Sequence, residues 1–197
     1  MMPMPYSGAL VLWFCGLSGA GKSTVADAVK NRLTGVGRPV LVLDGDDVRE
    51  KFNVSLGFSE ADIIANNAFI AKLCMENSDA YDVIIVPIIS PLDHARRSAR
   101  QQIGPGFRLV WCRAPIKVVA GRDVKGLYAK ARQGKIQDLV GFSETGVAFE
   151  EPSDADLTLD TGNETQEKSA ETLHQYICAQ LKSFSVGPYG RHQSKDT

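Results

Sequence analysis

The amino-acid sequence has few of the residues that build disulfide frameworks, metal centres or membrane spans. Its 197 residues include four cysteines, which form no Cys-x-x-Cys pair and lie near no histidine at zinc-site spacing: Cys15, Cys74, Cys112 and Cys178. No apolar run approaches the roughly 18 residues of a membrane-spanning helix, and the amino terminus lacks the features of a signal peptide. We therefore expect a cytoplasmic, reduced protein with no membrane partner and no metal except one that a substrate brings.

Excess charge of either sign is also absent. The sequence has 22 basic and 23 acidic residues, and its formal net charge at pH 7 is -1. Because nucleic-acid-binding domains carry a clear basic excess, we expect no nucleic-acid partner. A strongly anionic ligand would have to be bound by a local group of basic side chains.

Apolar segments of strand length alternate with segments of helical periodicity. Five segments have the composition of buried strands: 9–15, 39–43, 82–90, 107–112 and 155–161. Helical spacing follows in segments 22–35, 59–77 and 166–181, the second of which starts with a capping-box pattern at Ser59 and Asp62. The alternation predicts an α/β fold, with a mostly parallel five-stranded sheet covered by helices on both faces. We predict a single domain over 8–183 and an irregular tail over 184–197.

The sequence GLSGAGKST (16–24) lies between the first strand and the first helix. It matches G-x-x-x-x-G-K-[ST], a pattern in which glycines allow backbone N–H groups to surround phosphate oxygens. Lys22 would then span the β- and γ-phosphates, and Ser23 would ligate Mg²⁺. A glycine-rich turn that only joins strand to helix is the structural alternative. The residues predicted to bind ATP are Gly16, Ser18, Gly19, Ala20, Gly21, Lys22, Ser23 and Thr24.

A second polar stretch, LDGDDVR (43–49), follows the second strand at the sheet edge where α/β proteins bind ligands. Asp44 and Asp46 can hold a Mg²⁺-bound water, accept the proton of a substrate hydroxyl, or both. These roles favour phosphoryl transfer over simple nucleotide binding. The alternative is an Asp-rich turn in which Asp47 caps a helix.

Basic residues are concentrated in GRDVKGLYAKARQGKI (121–136), where Asp123 is the single acid. A basic lid closing over the phosphates would neutralise developing charge and exclude water. A solvated helix face is the alternative, since lysine-rich helices are common on protein surfaces.

Together these motifs make the sequence resemble the adenylylsulfate kinase family, P-loop NTPases that use ATP to phosphorylate the 3′-hydroxyl of adenosine 5′-phosphosulfate (APS). The resemblance covers residues 10–161 and includes LGFSEAD with Asn66, ISP (89–91), DVKGLYAKAR and LDT (159–161). It implies a three-layer α/β/α P-loop fold, a lid over about 122–150, ATP and Mg²⁺ as cofactors, a small nucleotide acceptor, and the homodimer common among relatives.

The resemblance also implies roles for individual residues. Ser90 matches a serine that the family pattern marks as a phosphorylated residue, and Phe58 would stack on the acceptor base. The residues expected to be catalytic are Lys22, Asp44, Asp46 and Ser90. Those expected to hold the metal are Ser23 and Asp46. Those expected to contact the acceptor are Arg49, Phe58, Asn66, Lys125, Gly126 and Leu127.

The sequence departs from the family pattern where the acceptor is held. Ile63 stands where the family has an arginine, Ala68 and Phe69 replace an arginine pair, and Leu92 and Asp93 replace an aromatic and a basic residue. Near the end of the lid, AFEEP (148–152) replaces a pattern with tyrosine. Asp93 would repel an anionic acceptor unless Arg96 or Arg97 neutralises it. Two alternatives therefore stay open: a kinase for another acceptor, such as a cytidine diphosphate-linked metabolite, and a nucleotide-binding switch that transfers no phosphate.

Overall fold

Five parallel strands form one sheet in the computed structural model, which describes residues 8–45, 48, 57–144 and 146–185. The sheet has the order β2-β3-β1-β4-β5, and every neighbouring pair is parallel. The strands are β1 (Leu10–Cys15), β2 (Val40–Val42), β3 (Val83–Val86), β4 (Phe107–Cys112) and β5 (Leu157–Leu159). The predicted five-stranded sheet is confirmed. β3 is shorter than the predicted 82–90 because Pro87 has no N–H to donate to a neighbouring strand.

Six α-helices lie in the described part of the chain. They are α1 (Lys22–Gly35), α2 (Glu60–Glu76), α3 (Asp93–Ile103), α4 (Ile116–Arg122), α5 (Leu127–Arg132) and α6 (Gln166–Ser185). α2 starts with the predicted capping box, since the Ser59 hydroxyl accepts from the Asp62 N–H and the Asp62 carboxylate accepts from the Ser59 N–H. α6 ends at Ser185, two residues beyond the predicted domain boundary, and residues 186–197 lie outside the described part.

Apolar side chains cover both faces of the sheet. Along β1, Leu10, Leu12 and Phe14 face one core, which α1 and α6 complete. The alternate residues of β1, including Val11 and Trp13, face a second core completed by α2 and α3. Because strand side chains alternate between faces, a strand buried on both sides has to be apolar throughout, as β1 is. The predicted three-layer arrangement is confirmed.

The cysteines are part of these cores. Cys15, Cys74 and Cys112 are buried free thiols, and Cys178 is half-buried. Burial raises the pKa of each of the three buried thiols to about 12, so they stay protonated. None of the described helices combines the length and apolarity needed to cross a membrane.

Candidate functional site

The loop between β1 and α1 has the backbone conformation of a phosphate cradle. Gly19 and Gly21 have φ values of 77° and 85°, a left-handed conformation that favours glycine, and Gly21 directly precedes α1. Gly16 is required for a different reason, since a Cβ atom there would lie 2.5 Å from the carbonyl oxygen of Cys112. The loop follows the carboxyl end of β1, so it places the amino terminus of α1 near that edge of the sheet, where an anion can bind to its free N–H groups.

Lys22 lies inside this loop. It is 7% exposed, and its Nζ donates hydrogen bonds to the carbonyl oxygens of Gly16 at 2.9 Å and Leu17 at 2.8 Å. Burial lowers the pKa of Lys22 to about 8, although the Asp44 carboxylate partly opposes this shift. The side chain is held at the phosphate loop, and the charge of its amino group changes as the pH passes through about 8.

We predict that ATP binding takes up a proton above about pH 8. Phosphate oxygens would stabilise the charged ammonium and return its pKa toward the usual value of about 10.4. At a pH between about 8 and this value, Lys22 would be mostly neutral in the free protein and mostly charged in the complex. ATP affinity should then fall as pH rises through this window. Isothermal titration calorimetry at about pH 9, in two buffers of different ionisation enthalpy, would report the uptake. Equal binding heats in both buffers would contradict it.

Ser23 and Asp44 form the second part of the site. The Ser23 hydroxyl, on the first turn of α1, donates to Asp44 Oδ2 at 3.0 Å, at the carboxyl end of β2. A hydroxyl and a carboxylate are hard oxygen ligands that suit Mg²⁺, and both side chains have solvent access for the waters that complete its shell. The pair therefore fits the expected metal. Asp46, the other predicted metal ligand, lies outside the described residues.

The predicted site residues converge on one cavity of about 500 Å³. Among its lining residues are Ser18, Gly19, Ala20, Gly21, Lys22, Ser23, Thr24, Asp44, Phe58, Asn66, Ser90, Lys125 and Leu127. Gly16 and Gly126 do not line it, because the first packs against β4 and the second precedes α5. Arg49 lies outside the described residues. The cavity thus connects the phosphate cradle with a region bounded by α2 and the loop after β3.

Ser90 forms one wall of this cavity and is held by several bonds. Its Oγ accepts hydrogen bonds from Trp13 Nε1 at 3.0 Å and Asn67 Nδ2 at 2.9 Å. The residue is buried, with a φ of 41° that is uncommon outside glycine. The role of Ser90 in catalysis stays a prediction. Local patterns could not identify these partners, because Trp13 lies in the apolar strand β1 and Asn67 lies within the helix α2.

The basic stretch is divided between the cavity lining and the exposed surface. Arg122 and Lys125 line the cavity, whereas Lys130, Arg132 and Lys135 are exposed outside its lining. Tyr128, buried in α5, donates from its hydroxyl to the carbonyl oxygen of Ser18 at 2.8 Å. The segment is therefore attached directly to the phosphate loop. This role of Tyr128 was not predicted from the sequence, because its partner Ser18 lies 110 residues away.

Most departures from the family pattern do not face the cavity. Ala68 and Phe69 are absent from its described lining, whereas Ile63 lines it and packs with Leu92, Ala95 and Val147. Asp93 is neutralised as the sequence required: Arg97 Nε lies 2.7 Å from Asp93 Oδ2, and Arg96 NH2 lies 3.4 Å from Oδ1. Ile63 is therefore the departure that changes the cavity surface.

Comparison with known proteins gives a consistent result. A family model described as adenylylsulphate kinase matches residues 8–160. An adenylyl-sulfate kinase of Halothermothrix orenii is 44% identical over 172 residues, which make up 85% of this chain and 89% of that protein.

Solved structures show the same similarity. An APS kinase of Mycobacterium tuberculosis, in complex with AMPPNP and APS, has a TM-score of 0.78 and 34% identity, covering 92% of this chain and 99% of its own. A hexameric APS kinase from Thiobacillus denitrificans has a TM-score of 0.61 and 25% identity. The match covers 87% of this chain and 29% of that one.

Proposed function

Because the chain belongs to the adenylylsulphate kinase family, we infer that it transfers the γ-phosphate of ATP to the 3′-hydroxyl of APS, giving 3′-phosphoadenosine 5′-phosphosulfate. ATP and Mg²⁺ are its cofactors. The observation that carries this inference is one cavity lined by both the Lys22–Ser23–Asp44 group and the predicted acceptor contacts Phe58 and Asn66. A cavity of about 500 Å³ lies within the ~300–1,000 Å³ range of small-molecule sites.

On the donor side, the proposed role of the loop is to bind and orient the triphosphate. Backbone N–H groups at Gly19 and Gly21 surround phosphate oxygens, and Lys22 moves from the Gly16 and Leu17 carbonyls to the β- and γ-phosphates. These groups neutralise charge that builds on the transferred phosphoryl group, so positioning and electrostatics supply most of the rate enhancement.

We propose Ser23 and Asp44 as metal ligands, since their oxygens are 3.0 Å apart, and Asp46 remains the predicted holder of a Mg²⁺-bound water. Mg²⁺ bound there would neutralise phosphate charge and orient the leaving group. Asp46, two residues further along the same loop, is the proposed acceptor of the 3′-hydroxyl proton. Asp44 is the alternative base, and its contact with Ser23 favours the metal role for it.

On the acceptor side, we propose that Phe58 stacks on the adenine of APS. It is 43% exposed at the cavity, so a base can cover its ring. Asn66 Oδ1 is buried without a hydrogen-bond partner among the described residues, which favours a polar contact with the acceptor. Arg49, Lys125, Gly126 and Leu127 remain predicted acceptor contacts, and Ser90 remains a predicted catalytic residue.

Neither alternative function gains support from the relatives found. A cytidine diphosphate-linked acceptor has no counterpart among the related sequences described above, and a switch without phosphoryl transfer has none either.

We propose a cytoplasmic homodimer with one kinase domain over 8–183 and a lid over about 122–150. Light scattering of the purified protein would test the dimer, and a monomer or hexamer would contradict it.

The proposed activity is tested by ADP release with ATP and Mg²⁺. Saturable turnover is expected with APS, at a higher kcat/KM than with a panel of other nucleotides and cytidine diphosphate-linked compounds at equal concentration. A preference for another nucleotide would contradict APS as the acceptor. ATP binding without ADP release for any acceptor would contradict the kinase activity itself.

A further inference from the structure

The last residues of the predicted lid are bonded to the wall of the cavity. We call residues 147–150 the return segment, and Ser90 with Pro91, which both line the cavity, the acceptor wall. The backbone N–H of Glu150 donates to the carbonyl oxygen of Pro91 at 2.9 Å. The return segment thus lies directly against the outer side of the acceptor wall.

Arg96 strengthens this attachment from inside the protein. Its side chain is 2% exposed, and it donates from NH1 to the carbonyl oxygen of Ser90 at 2.8 Å and from NH2 to that of Glu150 at 2.9 Å. A planar guanidinium presents its donors in a fixed arrangement, so these bonds fix the distance between the two carbonyl groups. One buried side chain therefore holds both the acceptor wall and the return segment.

The Glu150 side chain makes a further contact at the start of α3. Leu92 is the residue before this helix and supplies no side-chain cap. The Glu150 carboxylate instead accepts a hydrogen bond of 2.5 Å from the Asp93 N–H, across 57 residues of sequence. An anion at a helix amino terminus satisfies an otherwise unbonded N–H group and interacts favourably with the helix dipole. α3 thus obtains its cap from the return segment.

Val147 connects the same segment with the cavity through apolar contacts. It packs against Ile63, Leu92 and Ala95, and Ile63 lines the cavity. The return segment therefore touches the acceptor region at two places, through Val147 and through Glu150. Neither Arg96 nor Glu150 lines the cavity, so any effect they have on substrate must be indirect.

We propose that Glu150 and Arg96 are positioning residues for the acceptor, which join the return segment to the acceptor wall. The identity of the acceptor as APS rests on the proposed function. Loss of the Glu150 carboxylate frees the first turn of α3 and lets Ser90 and Pro91 shift relative to the bound acceptor. Among the described residues, the hydrogen bonds of the Lys22 and Ser23 side chains go to Gly16, Leu17 and Asp44 and not to this group, so we expect ATP binding to change less than acceptor binding.

The kinetic test compares Glu150→Ala with Glu150→Gln and Glu151→Ala. Loss of the helix cap should raise KM for APS roughly fivefold or more, while kcat and KM for ATP stay within about twofold. The glutamine variant keeps an oxygen that can accept from Asp93 and should recover most of the wild-type KM. Glu151 is the matched control, since it is the next residue, is also exposed, and belongs to neither the return segment nor the acceptor wall. An unchanged KM for APS, or equal increases for both substrates, would overturn the proposal.

A second measurement does not depend on turnover. Hydrogen exchange followed by mass spectrometry should show faster exchange at 90–96 and 147–150 together in Glu150→Ala, and unchanged exchange in Glu151→Ala. If the wild-type protein phosphorylates no APS, the proposed function is wrong, and this exchange pattern alone decides the positioning role. Unchanged exchange at 90–96 in Glu150→Ala would overturn it.

Discussion

Replacing Lys22 with alanine should lower kcat by roughly 10²- to 10³-fold or more, the range seen when one preorganised donor to transition-state charge is removed. Lys22 Nζ is the buried cation at the loop, within hydrogen-bond distance of two loop carbonyl groups. Alanine removes the charge that neutralises the transferred phosphoryl group and leaves both carbonyl groups without their donor. ADP release with saturating ATP, Mg²⁺ and APS measures the effect.

Lys30→Ala is the matched control, because Lys30 lies exposed on the same helix, α1. Its rate should equal that of the wild-type protein. The melting temperature of Lys22→Ala should be unchanged or higher, since the substitution removes a buried charge whose pKa is lowered. A Lys22 variant with full activity would show that another cation performs this role.

The second large effect is expected for Asp44→Asn. Asparagine keeps the shape of the side chain and a bond to Ser23 but removes the negative charge that attracts a cation. We expect a fall in kcat of roughly 10²-fold at a fixed Mg²⁺ concentration, partly recovered as Mg²⁺ is raised. The measurement is the Mg²⁺ dependence of ADP release, in which the half-saturating concentration should move upward.

Asp27→Asn, an exposed carboxylate on α1, serves as the control and should leave the Mg²⁺ dependence unchanged. Asp46→Asn separates the two proposed carboxylate roles, since loss of the base lowers kcat at every Mg²⁺ concentration. If Asp44→Asn loses activity that no Mg²⁺ concentration recovers, whereas Asp46→Asn is recovered, the two assignments are exchanged.

Local sequence patterns predicted the sheet and the phosphate loop because both depend on neighbouring residues. β1, the loop and α1 follow one another, and the glycines, the lysine and the buried apolar positions of α1 all lie within 26 residues of sequence. The same holds for the Ser59 capping box, whose two partners are three residues apart. Patterns of this length can be recognised without knowledge of the tertiary structure.

The missed features are long-range contacts between residues with other apparent roles. Trp13 has the sequence pattern of a core residue of β1, yet its indole N–H donates to Ser90 across 77 residues. α3 was missed because DHARRSARQQI is strongly polar, and its buried residues are chiefly alanines and Arg96. A buried arginine has the sequence signature of a surface arginine, so only its bonds to Ser90 and Glu150 distinguish it.

The Tyr128 hydroxyl bond to the Ser18 carbonyl has an energetic consequence. It joins α5 to the phosphate loop, so any outward movement of α5 that frees the cavity has to break this bond and expose a buried ring. Each opening of α5 would therefore cost this hydrogen bond and the burial of the Tyr128 ring, and closure would restore both.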